Sequence, residues 1–473
     1  MEGYIVSLII FTAVFALFSL GLNLQWGFTG LINFGHVAFM VVGSYLVVML
    51  TLPGYLKAMP ERMVAEIGWI GESPQLSSWL LQVQAVLPGQ IPLWLAILIG
   101  AGAAAVLGLL MGIATLKLRE DYLAIVTIGV AEIIRLVALN EEWLTRGSFG
   151  IQQFPLPLAD LNPNLGIRIA MIAVLTGIVG LGVWYLWRWA RRRIKSASAG
   201  PLLISSGAIA LYIALLVPLL LAISTFCRWL SAIAAPPDWM LALVLLVLLL
   251  GGGGLYGWAG HRLLPRLPAQ PEGTALLAAV VISGLGLWVY GYAASALYHY
   301  ERNAVKTGLM WLSVIVLALV FAGLQRLVRS PWGRVLKAIR EDEEVARALG
   351  KNVFWYKLQS LMLGGAIAGI AGALYAWQLT TVYPDNFRPL ETFNAWTIVV
   401  LGGAGSNVGT LLGAAIFWAY QTLTRFFLED LIPLGDAQLG AFRIMLIGLL
   451  LMVLMIWRPQ GLLGKAEELT LGR

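Results

Sequence analysis

Apolar runs of membrane-spanning length recur from one end of this 473-residue chain to the other, and they constrain its fold more than any other feature. A bilayer-spanning helix needs roughly 20 apolar residues. Runs of about that length fall near 4–24, 31–51, 91–114, 122–142, 167–190, 201–223, 239–258, 274–296, 307–327, 358–380, 407–427 and 439–457, and a shorter apolar piece lies at 393–403. A membrane β-barrel would show ten-residue alternating segments instead. The expectation is an all-α, polytopic transmembrane helical bundle of about 12 spans plus a discontinuous half-span. Only 12% of the residues are charged, where a soluble domain carries about a quarter. "MEGYIVSLII" opens with an acid and runs into a full-length span, which reads as no cleavable signal peptide.

The basic residues report sidedness. The segments 116–121, 188–195, 261–266 and 326–357, with the tail from Arg458, hold 20 of the 31 lysines and arginines. By the positive-inside rule these segments are cytoplasmic and the N-terminus external. The net charge of +7 therefore speaks of topology and not of nucleic acid. For 358–380 and 439–457 to obey the same sidedness, 393–427 must enter from outside and return there as a half-helix followed by a return helix. A single cysteine, Cys227, excludes an internal disulfide and any Cys-based metal site.

Two glycine-interrupted, asparagine-bearing stretches stand out, "GFTGLINFG" at 27–35 and "GGAGSNVG" at 402–409. Such interruptions, one in each half, mark discontinuous helices at a transport site. They serve equally well where helices only pack closely. On the first reading Asn33, Gly35, Gly402, Gly403, Gly405 and Asn407 line a pathway. His36 follows directly, either as a pathway residue or as a hydrogen-bonded packing residue, and no metal role is expected of it. His261 and His299 fall in loops. Glu132 and Arg135 lie three residues apart in the span 122–142 and so share a face. Charges there are expensive, so they pair with each other or face a polar substrate, unless Arg135 snorkels to the outer interface.

The longest charged stretch is 326–357. After "SPWG" it reads as a short amphipathic helix to which Val335, Leu336, Ile339, Val345, Ala346 and Leu349 supply apolar contacts. Gly350 ends it and Asn352 caps the next helix. Its four acids, Glu341–Glu344, disfavour an anionic lipid surface and favour docking in a partner's groove. No phosphate-binding G-x-x-x-x-G-K-[ST] loop occurs; "GLLGKA" at 461–466 has the wrong spacing and no hydroxyl. No catalytic constellation is visible and no cofactor is expected, so any ATP would be hydrolysed by another chain.

"GRVLKAIREDEEVARALGKNVFWYKL" (333–358) resembles the branched-chain amino-acid ABC-transporter permease family (LivM-type). So do "GLINFGHVAFMVVGSY" (30–45), "YLAIVTIGVAEIIRLV" (122–137), "IAGIAGALYA" (367–376), "VVLGGAGSNVGTLLGAA" (399–415) and "RPQGLLG" (458–464). The resemblance implies a prokaryotic inner-membrane importer subunit for neutral or branched-chain amino acids. Its partners would be a second, LivH-type permease, two cytoplasmic ATP-binding subunits and an extracytoplasmic substrate-binding protein. It also implies that Arg340, Glu344, Val345, Ala346 and Gly350 couple to an ATPase, with Val345 standing where the family's E-A-A-x-x-x-G loop has alanine. A urea or short-chain amide permease shares the scaffold, and an ion-coupled secondary transporter is the rival from another class. Three parts follow: a permease core over 1–165, inserted extra transmembrane helices over 166–300, and a core over 301–473 with a coupling segment at 328–357. "RGSFGI" (146–151) stands where the family has "GGPNGI", which bears on substrate preference and binding-protein docking at the external loops 53–90 and 143–165.

Overall fold

Peptide groups in hydrocarbon have no water to bond, so an apolar run closes its hydrogen bonds within its own helix. The computed structural model follows that rule. It describes residues 2–118, 120–159, 161–194, 199–215, 218, 222, 225–226, 229, 238–267, 270–431, 440–441, 443–449, 452 and 460–463. The first half holds helices α1 (Glu2–Leu22), α2 (Val37–Thr51), α3 (Tyr55–Glu66), α4 (Pro74–Val86), α5 (Leu93–Thr115) and α6 (Glu120–Asn140). Then come α7 (Leu165–Ile194), α8 (Ala199–Ala214), α9 (Asp238–Leu263) and α10 (Gln270–Tyr298). The last part holds α11 (Ala304–Arg329), α12 (Pro331–Glu341), α13 (Glu343–Ala348), α14 (Val353–Leu379), α15 (Pro389–Gly402) and α16 (Asn407–Leu431). Two short strands, β1 (Ile151–Gln152) and β2 (Thr381–Val382), pair antiparallel in a loop region. The chain is thus an all-helical, multi-pass membrane bundle.

Among the described residues seven helices are long and apolar enough to cross a membrane, and up to nine when two bent pairs are included. The pairs are 37–51 with 55–66, bent by 108°, and 384–402 with 407–425, bent by 117°. The half-helix expected at 393–403 is α15, and α16 is its return. The span expected at 31–51 begins only at Val37, because 28–36 is irregular. The stretch 53–90, read as a loop, is largely helical. Cys227, nearly half of the span expected at 439–457 and much of 216–237 lie outside the described residues.

Two helices form the axis. The apolar windows of α1 and α14 are 72% and 78% buried, against 11% and 17% for α7 and α10, so the first pair is enclosed by protein and the second faces lipid. Helix α14 lies against α5, α2 and α1, while α7 and α10 pair with each other and α8 covers α10. Without a hydrophobic effect between helices in lipid, close backbone approach is what holds them. "GGAIAGIAGALYA" (364–376) supplies it: Gly364, Gly365, Ala368, Gly369, Ala371, Gly372 and Ala373 are buried. A side chain at Gly43 of α2 would meet the carbonyl oxygen of Gly369 at 2.1 Å.

The two ends of the bundle differ. One gathers the turns at 50–55 and 89–91, the end of α6 and the 380s: Tyr55 donates to the Leu144 carbonyl at 2.8 Å and Lys306 to the Gln378 carbonyl at 2.7 Å. The other, called the basic end below, carries the start of α14, the 403–407 turn and the charged segment 330–352.

Gly43→Val forces a branched side chain into the Gly369 backbone and is expected to lower stability by about 1–3 kcal/mol or more. The readout is the thermal-unfolding midpoint in detergent. Gly102→Val, with no atom within 4 Å of the added carbon, should leave that midpoint in place.

Candidate functional site

At the basic end both discontinuous segments meet. Helix α1 loosens into a π-helical turn over Asn23–Gly27 before the irregular stretch 28–36. Helix α15 stops at Gly402, and the chain turns through Gly403 and Gly405, both at positive φ (109° and 78°), before α16 starts at Asn407. Asn23 joins them. Its Oδ1 accepts from the Gly405 N–H at 2.9 Å, and its Nδ2 donates to Asn407 Oδ1 at 3.2 Å. Asn407 in turn donates to Gln325 Oε1 at 3.2 Å. The backbones approach so closely that a side-chain carbon on Gly27 would sit 2.5 Å from the Gly405 nitrogen.

A second set of bonds holds the re-entrant stretch. Gln25 donates to the Leu361 carbonyl (3.2 Å) and accepts from Asn33 (3.0 Å), whose Oδ1 takes the Gly35 N–H at 2.9 Å. Thr127 of α6 accepts from the Phe34 N–H and Thr392 of α15 from the Val37 N–H. Trp396 of α15 donates to the Asn33 carbonyl at 3.3 Å and lies between Trp26 and Phe34, with ring centroids 4.4 and 4.9 Å away. Thr29 and Ser360 share a bond of 2.8 Å. Irregular backbone at membrane depth is thereby satisfied by protein, as it must be.

Asn33 and Gly35 thus belong to the bonds around Gln25, and Gly405 and Asn407 to those around Asn23, with Gly402 and Gly403 leading into the second. Asn33 is 1% exposed and Asn407 4%, so neither faces an open space in this chain. His36 is packed: its Nε2 lies 3.1 Å from the Phe18 carbonyl and its ring stacks on Phe18. A carbonyl only accepts, so Nε2 carries the proton, and the buried Nδ1 has no partner.

Glu132 and Arg135 are elsewhere. They stand five and eight residues beyond Thr127 on α6, roughly 8 and 12 Å along its axis. They pair: Arg135 Nε donates to both Glu132 oxygens at 3.1 and 3.0 Å. Arg135 Nη1 also reaches Asp385 at 2.9 Å, tying α6 to the turn that leads into α15.

The segment 330–352 lies directly on the amide network. Arg340 Nη1 donates to the Gly27 carbonyl at 2.5 Å, and Lys337 lies 5.7 Å from the Phe28 ring centroid. One helical run was expected here; there are two. Asp342 interrupts them in extended backbone, and its carboxylate caps the Glu344 and Val345 N–H groups at 2.9 and 3.0 Å. Leu336, Ile339 and Ala346 are buried, whereas Val345 and Leu349 are 55% and 73% exposed. Gly350 closes α13 at φ 77°, and Asn352 accepts from the Trp355 N–H to start α14. A further strut comes from 460–463. Leu462 and Leu463 donate to the carbonyls of Leu401 and Gly402, both at 3.0 Å, and satisfy the end of the half-helix.

Asn23, Gln25 and Gln325 were not singled out in the sequence. The signal was "LNLQWG" (22–27), two amides at the end of an otherwise apolar span. Among the described residues no three His, Cys, Asp or Glu converge to hold a metal.

Residues 4–191 and 162–455 match the family described as the branched-chain amino acid transport system permease component. Over 452 residues, 96% of this chain and 68% of the relative, the chain is 25% identical to the high-affinity branched-chain amino acid transport system permease protein LivM of Escherichia coli K12. It is 29% identical over 166 residues, 34% of this chain and 47% of the relative, to a probable LivM permease of Methanocaldococcus jannaschii. To the E. coli K12 permease LivH it is 28% identical over 183 residues, 38% of this chain and 54% of the relative. No solved structure matches significantly.

Asn23→Ala leaves the Gly405 N–H without its acceptor, a loss of about 1–3 kcal/mol for a buried group. Hydrogen exchange at 403–407 should quicken about tenfold or more. Exchange at the wild-type rate would show that the turn is held without Asn23.

Proposed function

The chain belongs to the branched-chain amino acid transport permease family, and from that premise we propose that it is the permease subunit of an ATP-driven importer for neutral amino acids, chiefly branched-chain or small apolar ones. The relatives' named substrates support the substrate class. In this reading the chain pairs with a second permease of related type, two ATP-binding chains at its basic end and a substrate-binding protein at the opposite end. The basic end is cytoplasmic. Residues 166–300 form a peripheral addition to a core made of 1–165 and 301–473.

The observation that carries the mechanism is the bond from Arg340 to the Gly27 carbonyl. A motor that grips α13 through Glu344, Val345, Ala346 and the exposed Leu349 moves α12 with it. Helix α12 holds Gly27, and Gly27 abuts Gly405. A displacement at the docking helix therefore reaches both discontinuous helices at once. Uncharged amides suit such a joint, because Asn23, Asn33 and Asn407 exchange one neutral partner for another without desolvating a charge. Asn33, Gly35, His36, Gly402, Gly403, Gly405 and Asn407 form the gate in this scheme, and the Glu132–Arg135 pair sets the entry to the half-helix from the far side.

Reconstitution with its ATP-binding chains, partner permease and binding protein tests the scheme, with labelled leucine, urea and a short amide as substrates. Leucine uptake that requires ATP is expected; gradient-driven uptake by the chain alone would refute an ATP-driven importer. Glu344→Lys and Gly350→Val should release the ATP-binding chains and abolish uptake. Arg340→Ala should retain those chains and their ATPase activity yet lower uptake about tenfold or more, the worth of a charged hydrogen bond. Wild-type uptake in Arg340→Ala would remove the linkage.

A further inference from the structure

At the end of the bundle opposite the charged segment is a concavity of about 380 Å³, lined by Arg62 and Glu66 of α3 and by Glu142, Arg146 and Phe149. Both arginines lie over one ring. The guanidinium carbons of Arg62 and Arg146 are 4.6 and 6.0 Å from the centroid of Tyr55, which is itself buried and anchored to the Leu144 carbonyl. No ion pair joins either arginine to Glu66 or Glu142, whereas Arg135 and Arg168 at the same end are each paired with carboxylates. The buried Nη1 of Arg62 has no hydrogen-bond partner. Arg146 holds left-handed backbone, φ 63°, in a segment where Phe149 is 76% exposed.

These features are unfavourable in an empty site. Two cations over one ring repel each other, and a buried donor without an acceptor is penalised. A carboxylate between the guanidinium groups relieves both, since guanidinium binds carboxylate in matched, forked geometry. The two unpaired glutamates leave the lining formally neutral and supply acceptors for an ammonium group. A lone anion leaves them idle. A molecule carrying both charges uses all four.

We propose that this cavity binds a free zwitterionic amino acid: Arg62 and Arg146 take the α-carboxylate, Glu66 and Glu142 the α-ammonium, and Phe149 the apolar side chain. The site rests on the amino-acid reading above. It is a receiving station at the mouth of the permease, remote from the amide gate at the basic end.

The test titrates the purified full chain in lipid nanodiscs with L-leucine, leucine amide and N-acetyl-leucine by calorimetry. Leucine should bind, and the two derivatives, each lacking one charge, about tenfold more weakly or worse. Arg146→Ala should weaken leucine to a similar degree and Arg146→Lys less. Should Arg146→Ala fail to fold, the exposed Glu142→Gln gives the same readout. No leucine binding, equal binding of the amide, or wild-type affinity in the folded alanine variant overturns the site. Uptake separates the two readings. An assembled importer whose KM for leucine is unchanged by Arg146→Ala sinks this cavity and leaves transport standing. A wild-type assembly that moves no amino acid sinks transport, and the nanodisc titration then decides the cavity by itself.

Discussion

A helix that breaks inside a membrane must find protein partners for the peptide groups it frees, and here a side chain of the first break supplies one for the second. Asn23 accepts from the Gly405 backbone and donates to Asn407, so the interruption after α1 and the one between α15 and α16 complete each other. The rest of the inner architecture follows. Gln25 and Asn33 fix the re-entrant stretch, Trp396 seals it, and the 460–463 strut satisfies the end of the half-helix. Helices α1 and α14 are central because they enclose this joint, and the small residues of 364–376 let the surrounding backbones come near enough to do so.

The charged segment is built into the same joint. Its buried side, Leu336, Ile339 and Ala346, anchors it to the bundle, while Val345 and Leu349 face outward, uncovered among the described residues. Asp342 separates the anchored helix from the outward one and caps the latter. A short, well-capped helix that shows apolar side chains to water is poised for a groove. Arg340 links the anchored helix to Gly27. Recognition and transmission thus sit on adjacent turns of one segment.

Much of this was legible in the sequence because it depends on local chemistry. Run length marked α14, and run length together with the sidedness of the basic residues marked the half-helix α15 and its return α16. Glycine and asparagine spacing marked both interruptions, and Gly350 and Asn352 end and begin the helices they were expected to. What was not legible depends on distance through space. Asn23 and Gln25 were not singled out, since Asn407 and the Leu361 carbonyl, which they meet, lie more than 300 residues away. The direction of Val345 and Leu349 turned on Asp342, whose extended backbone splits a periodicity that otherwise runs on. Nothing in "RGSFGI" announced that Arg146 would share a tyrosine ring with Arg62, because Tyr55 belongs to a helix read as loop.

The span of that central bond has a bearing on biogenesis. Asn23 and Asn407 are 384 positions apart, so a ribosome threads almost the whole polypeptide into the bilayer before the first helix meets its counterpart. Until then Asn23 stands as an unclaimed polar group at the end of an apolar span, the kind of lesion that membrane chaperones and proteases detect. Completion of the joint is therefore also the moment at which a nascent molecule stops looking damaged.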